Sequence, residues 1–140
     1  MEKIEVFLDT NVVISSILST IGVSHRIIIH PKISKLITKT VEDEIISVSE
    51  RLNIDSKKIK TVLKNLKRIE LNLTKKNLLK NYNNYVFDQE DSHVVAGAHK
   101  SKTKFLLTYN IKHFKIDKIN RDFGLIVMTP GRFLQYLRSQ

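Results

Sequence analysis

The chain has 140 residues, with 24 Lys and Arg against 14 Asp and Glu, no cysteine and no tryptophan. That length fits one domain over residues 1–140, large enough to bury a core, and the lack of cysteine excludes a disulfide framework or a thiolate metal site. The opening MEKIEVFLDTNVV is acidic where a secretion signal needs positive charge, and no apolar run reaches the ~20 residues of a membrane span, so a soluble, cytoplasmic protein is expected.

In chain order, Ile4–Leu8 reads as a short buried strand ending at Asp9, and Thr10-Asn11 opens a helix through Leu18. Ser24 caps a second helix that Pro31 stops, and Lys35–Thr38 is a second strand. Thr40 is the expected N-cap of a helix from Val41 to Leu52, whose Val41, Ile45, Val48 and Leu52 share one face. Ser56 caps the next helix, with Ile59, Val62, Leu63 and Leu66 inward and Lys57, Lys60, Lys64 and Lys67 on an outer stripe. A strand over 69–73, a helix from Thr74 to Tyr82, and a helix running from the acidic 88–91 to Lys100 follow. Phe105–Thr108 is a strand, Ile111–Phe114 a single turn and Leu125–Met128 the last strand; Thr129-Pro130 starts the final helix, with Pro where a missing N–H costs nothing. Strands alternating with helices predict an α/β fold, a mainly parallel twisted sheet covered on both faces.

The formal charge of +10 is unevenly placed. Residues 1–55 carry six basic and eight acidic side chains, whereas residues 56–120 carry fifteen basic and five acidic. Such an excess attracts polyanions, because each neutralised phosphate releases condensed counterions. A solvated lysine-rich surface has the same composition.

Four polar residues fall where apolar ones are expected. Asp9 follows the first strand at its carboxyl end, the edge where open α/β sheets bind ligands. Glu44 lies beside the apolar stripe of its helix, and Asp91 shares a face with Val94, Val95 and Ala98. Asn110 follows the strand FLLT, again at a carboxyl end. Carboxylates buried together are costly unless a cation neutralises them. An all-oxygen set suits Mg²⁺ or Mn²⁺ rather than zinc, and such ions serve phosphodiester hydrolysis.

Each of these residues also has a plainer role open to it. Asp91 fits a capping box with Asp88, Glu44 the edge of a half-buried helix, Asp9 a helix cap, and Asn110 a turn with positive φ. Glu42 and Asp43 flank Glu44 and stand in for it if the helix register shifts. The case for a metal centre rests on the four acting jointly. The five histidines lack the i, i+4 spacing of a helical zinc site, and His93 is expected at an exposed helix position. Gly97 is expected to serve close packing, and no Gly-rich phosphate loop or nucleophilic triad is readable.

FLDTNVVISSIL at 7–18, TVEDEI at 40–45, DQEDSHVVAGA at 88–98 and LLTYNIKHF at 106–114 resemble, in order and spacing, the four motifs of PIN-domain proteins. The likeness is greatest to the prokaryotic branch of toxin components of toxin–antitoxin pairs, the VapC-like ribonucleases. It implies a three-layer α/β/α domain and a Mg²⁺- or Mn²⁺-dependent endoribonuclease acting on single-stranded or structured RNA. By motif, Asp9, Glu44 and Asp91 match the family's acidic ligands. Asn110 stands where many members have Asp, leaving three formal negative charges, and a second tightly held metal is thereby in question. Thr10 and Asn11 would orient Asp9, and Thr108 offers a hydroxyl near Asn110. Asp88 and Glu90 add acidity at the mouth, while Lys57, Lys60, Lys64 and Lys67, or the cluster at 100–104, would contact flanking phosphates. An antitoxin partner and a homodimer are implied by the same resemblance. The competing reading is a PIN-like module that binds RNA or a protein without cutting, which Asn110 keeps open. A helix-turn-helix reading lacks a paired recognition helix.

Overall fold

Val6, Phe7 and Leu8 have no solvent-exposed surface, because their strand lies at the centre of the sheet with a neighbour on either side. The computed structural model describes residues 3–140; Met1 and Glu2, part of the acidic start, lie outside them. Five strands, β1 (Ile4–Leu8), β2 (Ile33–Thr38), β3 (Leu66–Ile69), β4 (Phe105–Leu107) and β5 (Ile126–Met128), form one sheet in the order β3-β2-β1-β4-β5. Every pairing is parallel, so both faces need covering, and the central strands carry unbroken apolar runs at Val6–Leu8 and Phe105–Leu107.

The cover comes from α1 (Thr10–Leu18), α2 (Val23–Ile29), α3 (Lys39–Arg51), α4 (Ser56–Leu63) and α8 (Pro130–Arg138), and from α5 (Lys75–Tyr82), α6 (Ser92–Lys100) and α7 (Ile116–Phe123). α1 packs on α2, α3 and α4, α2 packs on α8, and α6 packs on α5, β1 and β4. The result is the three-layer α/β/α architecture expected from the alternation of elements. Among the described residues, no single helix is long and apolar enough to cross a membrane.

Gly97 of α6 lies against β1, and a Cβ there would sit 2.7 Å from Phe7 Cε2 and 2.9 Å from Thr38 Cγ2. The missing side chain lets helix and sheet approach, as the sequence suggested. α7 has no counterpart among the expected helices. Its signature is Ile116, Ile119 and Phe123 on one face, ended by Gly124 at φ 67°, a left-handed C-terminus that glycine adopts without steric cost.

Several boundaries move for identifiable reasons. Thr38, not Thr40, caps α3, its hydroxyl accepting the Val41 N–H at 3.2 Å, and Leu52 is half exposed at the far end. Gly22 precedes α2 because the Ser24 hydroxyl is turned to Tyr109 instead. Asp55, not Ser56, caps α4 by accepting the Lys57 N–H at 2.9 Å. α4 ends at Leu63, since Leu66 pairs with Lys35 as the start of the edge strand β3, and this strand ends at Ile69 rather than beginning there. Of the expected lysine stripe, only Lys57 and Lys60 lie within the helix; Lys64 follows it and Lys67 is on β3, though all four are exposed. Residues 89–91 form a 3₁₀ turn capped by Asp88, so α6 proper starts at Ser92.

Candidate metal centre at the sheet switch point

The chain leaves β1 for one half of the sheet and returns through β4 to build the other, so the carboxyl ends of β1 and β4 diverge and leave a crevice. Asp9 ends β1 there. Its Oδ1 accepts the Thr10 N–H at 2.8 Å; its Oδ2 accepts the Thr108 hydroxyl at 2.8 Å and the Asn11 amide at 3.2 Å. Asp9 therefore does cap α1, and it also faces the crevice. Asn11 ties the two strand ends together, because its Oδ1 accepts the Tyr109 N–H at 3.0 Å. Thr108 is fully buried, and its oxygen also accepts the Asn110 N–H at 3.0 Å.

α3 brings Glu44 to the same place. Its Oε1 accepts the Thr10 hydroxyl at 2.7 Å, so one residue bridges the first and second carboxylates. Its Oε2 lies 3.2 Å from His93 Nε2 of α6. Asp91, just before α6, has no capping bond to the helix, and its Oδ2 is 3.5 Å from His113 Nδ1. Asn110 is exposed with φ −97°, so the positive-φ turn is not what places it.

These neighbours set the charges. Burial pushes the Asp9 carboxyl up, the Thr108 and Thr10 bonds draw it back, and Glu44 raises it again; the net direction is up. Burial and Asp9 likewise push Asp91 up against the pull of His113. Burial raises Glu44 too, but the bonds from His93 and Thr10 outweigh it and hold it below its usual value.

Asp9, Glu44, Asp91, Asn110, His93 and His113 line one open cleft of about 750 Å³, whose other wall is Ile14, Leu18, Val48 and Val94. Among the described residues, no group of three or more acidic or histidine side chains is gathered tightly enough to grip one ion. The acidic groups are interleaved with Thr10 and the two histidines. Donor chemistry nonetheless fits a hard cation. The carboxylates are oxygen donors, Asp9 is held in one orientation by three bonds, and burial, with a neighbouring carboxylate, raises Asp9 and Asp91, a strain that a bound cation relieves.

Of the acids flanking Glu44, Glu42 turns away to Arg68 at 3.0 Å and Asp43 stays at the rim, paired with Lys39 at 2.7 Å. Asp88 caps its turn, and Glu90 faces a second cavity of about 360 Å³ that shares Thr40 and His93 with the main cleft. None of Lys57, Lys60, Lys64 and Lys67 lines the cleft, and residues 100–104 precede β4, at the opposite sheet edge from Asn110.

His93 is the correction. Its side chain is only 11% exposed and bonded to Glu44, not a solvent-facing helix position. It lies four residues before Gly97, on the stripe that meets the sheet, and that spacing was the readable signal. His113 and the Ser24–Tyr109 bond had no such signal.

A parallel α/β/α domain with carboxylates collected at its switch point is the class these observations define. The PIN-domain family model matches residues 5–112, which take in all four motifs except the last two residues of the fourth, and the chain belongs to that family. In fold it is similar to VapBC2 from Rickettsia felis, solved bound to a DNA fragment from its promoter, with a TM-score of 0.62 and 18% identity over 89% of this chain and 97% of that one. It is also similar to PAE2754 from Pyrobaculum aerophilum, with a TM-score of 0.64 and 14% identity over 98% of this chain and 97% of that one. No curated protein sequence matches at a significant level.

Proposed function

We infer that this PIN-domain protein is a divalent-metal-dependent endoribonuclease, the toxin of a toxin–antitoxin pair. The observation that carries the reading is the meeting of Asp9, Glu44 and Asp91, from three separate elements, on one cleft of a chain whose formal charge is +10. A negative hollow in a positive molecule suits a cation held against a polyanion. The fold likeness to a VapBC complex supports the toxin–antitoxin part of the reading.

Asp9, Glu44 and Asp91 would hold Mg²⁺ or Mn²⁺, which when bound supplies a nucleophilic water at neutral pH and counter-charge for the reacting phosphate. Thr10, Asn11 and Thr108 fix the direction in which Asp9 presents its oxygens. Asn110 offers an uncharged amide at the rim, so the site carries three negative charges rather than four. The exposed Lys57, Lys60, Lys64 and Lys67 would steer RNA toward the chain without lining the cleft. A cognate antitoxin would place a cationic segment in the same hollow, and a homodimer is the assembly proposed.

A second reading, a module that binds RNA or a protein without cutting it, is favoured by the spacing of the acidic groups, no three of which share an ion site among the described residues. One experiment separates the two. Calorimetric titration with Mn²⁺, paired with cleavage of a labelled RNA, gives binding and turnover in the nuclease, both lost in Asp91→Asn. Turnover retained in that variant removes Asp91 from the site, and absence of both in the wild type leaves the binding module.

A further inference from the structure

Away from the acidic cleft, α2 and α8 enclose a groove of about 600 Å³ with Arg26, Arg132 and Arg138 on its walls and Val23 and Leu134 in its lining. Among the described residues, no acidic side chain lines it. Among the described residues, ion pairs engage Lys39, Arg68, His93, His113 and Arg121, and none of the three groove arginines. All three are exposed. Among the described residues, nothing of opposite charge pairs with the three guanidinium groups of this groove.

The first turns of α2 and α8, which carry Arg26 and Arg132, lie at the same sheet edge as the cleft, and Arg138 ends α8. α8 starts directly after β5, whose Met128 carbonyl accepts the Thr108 N–H at 3.0 Å. The Ser24 and Tyr109 hydroxyls meet at 2.6 Å, tying the first turn of α2 to the residue before Asn110. Arg26 is two residues beyond that tie.

We propose that this arginine groove holds the backbone phosphates of single-stranded RNA on the stretch flanking the segment in the cleft. The proposal rests on the ribonuclease reading and names where its substrate lies. Guanidinium forks pair bidentately with phosphate oxygens, and the uncharged Val23 and Leu134 surface accepts a sugar or base face. Gly131 keeps one wall open, since a Cβ there would meet nothing within 4 Å.

The test is fluorescence anisotropy of the full chain with a labelled single-stranded RNA in EDTA, across a salt series. The triple variant Arg26→Gln, Arg132→Gln, Arg138→Gln is compared with Lys3→Gln, Lys76→Gln, Lys80→Gln, which removes equal charge from exposed positions that line neither the groove nor the cleft. The arginine variant should lower the slope of log K against log salt by about two, from three contacts at roughly 0.7 each, and weaken binding on the order of a hundredfold near 0.1 M salt. The lysine variant should change far less. Equal losses in both variants mean net charge alone and overturn the proposal. So does loss of poly-glutamate binding with RNA binding intact, which would make the groove a site for an acidic polypeptide. Cleavage measured in parallel with Mn²⁺ keeps the two readings apart. A wild type that cuts RNA beside an arginine variant that binds normally overturns the groove alone. A wild type that binds RNA through the arginines but never cuts it supports the groove and removes the nuclease.

Discussion

Thr108 donates its hydroxyl to Asp9 Oδ2 at 2.8 Å across 99 positions of sequence, joining the ends of two adjacent parallel strands through a buried bond. The same oxygen accepts the N–H of Asn110 at 3.0 Å. Thr108→Val keeps the shape and removes both. A buried acceptor deprived of its donor costs about 1–3 kcal/mol, so urea unfolding near neutral pH should show a loss of that size. A stability equal to wild type would mean that water replaces the hydroxyl at no cost.

The pH dependence of stability follows from the shifted carboxylates. Asp9 and Asp91 are raised above 3.8 in the fold, so the native state keeps protons that the unfolded chain has lost. Their contribution is therefore greatest below 3.8 and falls as pH climbs through the raised values. Glu44, held below 4.5, acts in the opposite sense: its contribution is present above 4.5 and is lost as pH falls through its lowered value. Asp91→Asn should flatten the loss of stability on the rising side, measured by denaturant midpoints over a pH series. Added Mg²⁺ or Mn²⁺ should raise the wild-type melting temperature at neutral pH and raise that of the variant less.

His93 connects Glu44 to α6 through the 3.2 Å contact between Nε2 and Oε2, and its buried Nδ1 has no partner among the described residues. Removing a group that orients a ligand side chain lowers activity or metal affinity by roughly 10–100-fold. His93→Ala should show that loss in RNA cleavage, and His93→Gln should recover part of it, because an amide N–H reaches the same carboxylate. Full activity in the alanine variant would leave Thr10 as the only anchor Glu44 needs.

Gly97→Ala sets two effects in opposition. Helix propensity favours Ala by about 0.5–1 kcal/mol. The added methyl would press on Phe7 and Thr38 at under 3 Å, and overpacking of that kind costs about 1–3 kcal/mol. Packing should win, giving a lower melting temperature that the second substitution Phe7→Leu partly restores.

Much of this arrangement was legible in the sequence because β1 and β4 close on apolar runs, Val6–Leu8 and Phe105–Leu107, that end at polar residues. A buried strand followed by Asp9 or by Thr108 and Asn110 marks its own carboxyl end. The helices whose ends shifted did so where a tertiary partner outbid local pattern: Leu66 left the helical stripe to pair with Lys35, and Ser24 gave up its capping role to Tyr109. α7 is short and mostly exposed, with only Ile119 wholly inside, so its period was too weak to stand out from the loop around it. Asp9, Glu44, Asp91 and Asn110 line one cleft. The interleaving of His93 and His113 depends on side-chain directions that spacing alone does not encode.

The strand order has a consequence in time. β1 lies between β2 and β4, and the bond that orients Asp9 comes from β4's side. A chain emerging from the ribosome carries its first three strands before the fourth, so the hollow stays unassembled, and Asp9 lacks the Thr108 bond, until β4 and the residues after it have emerged.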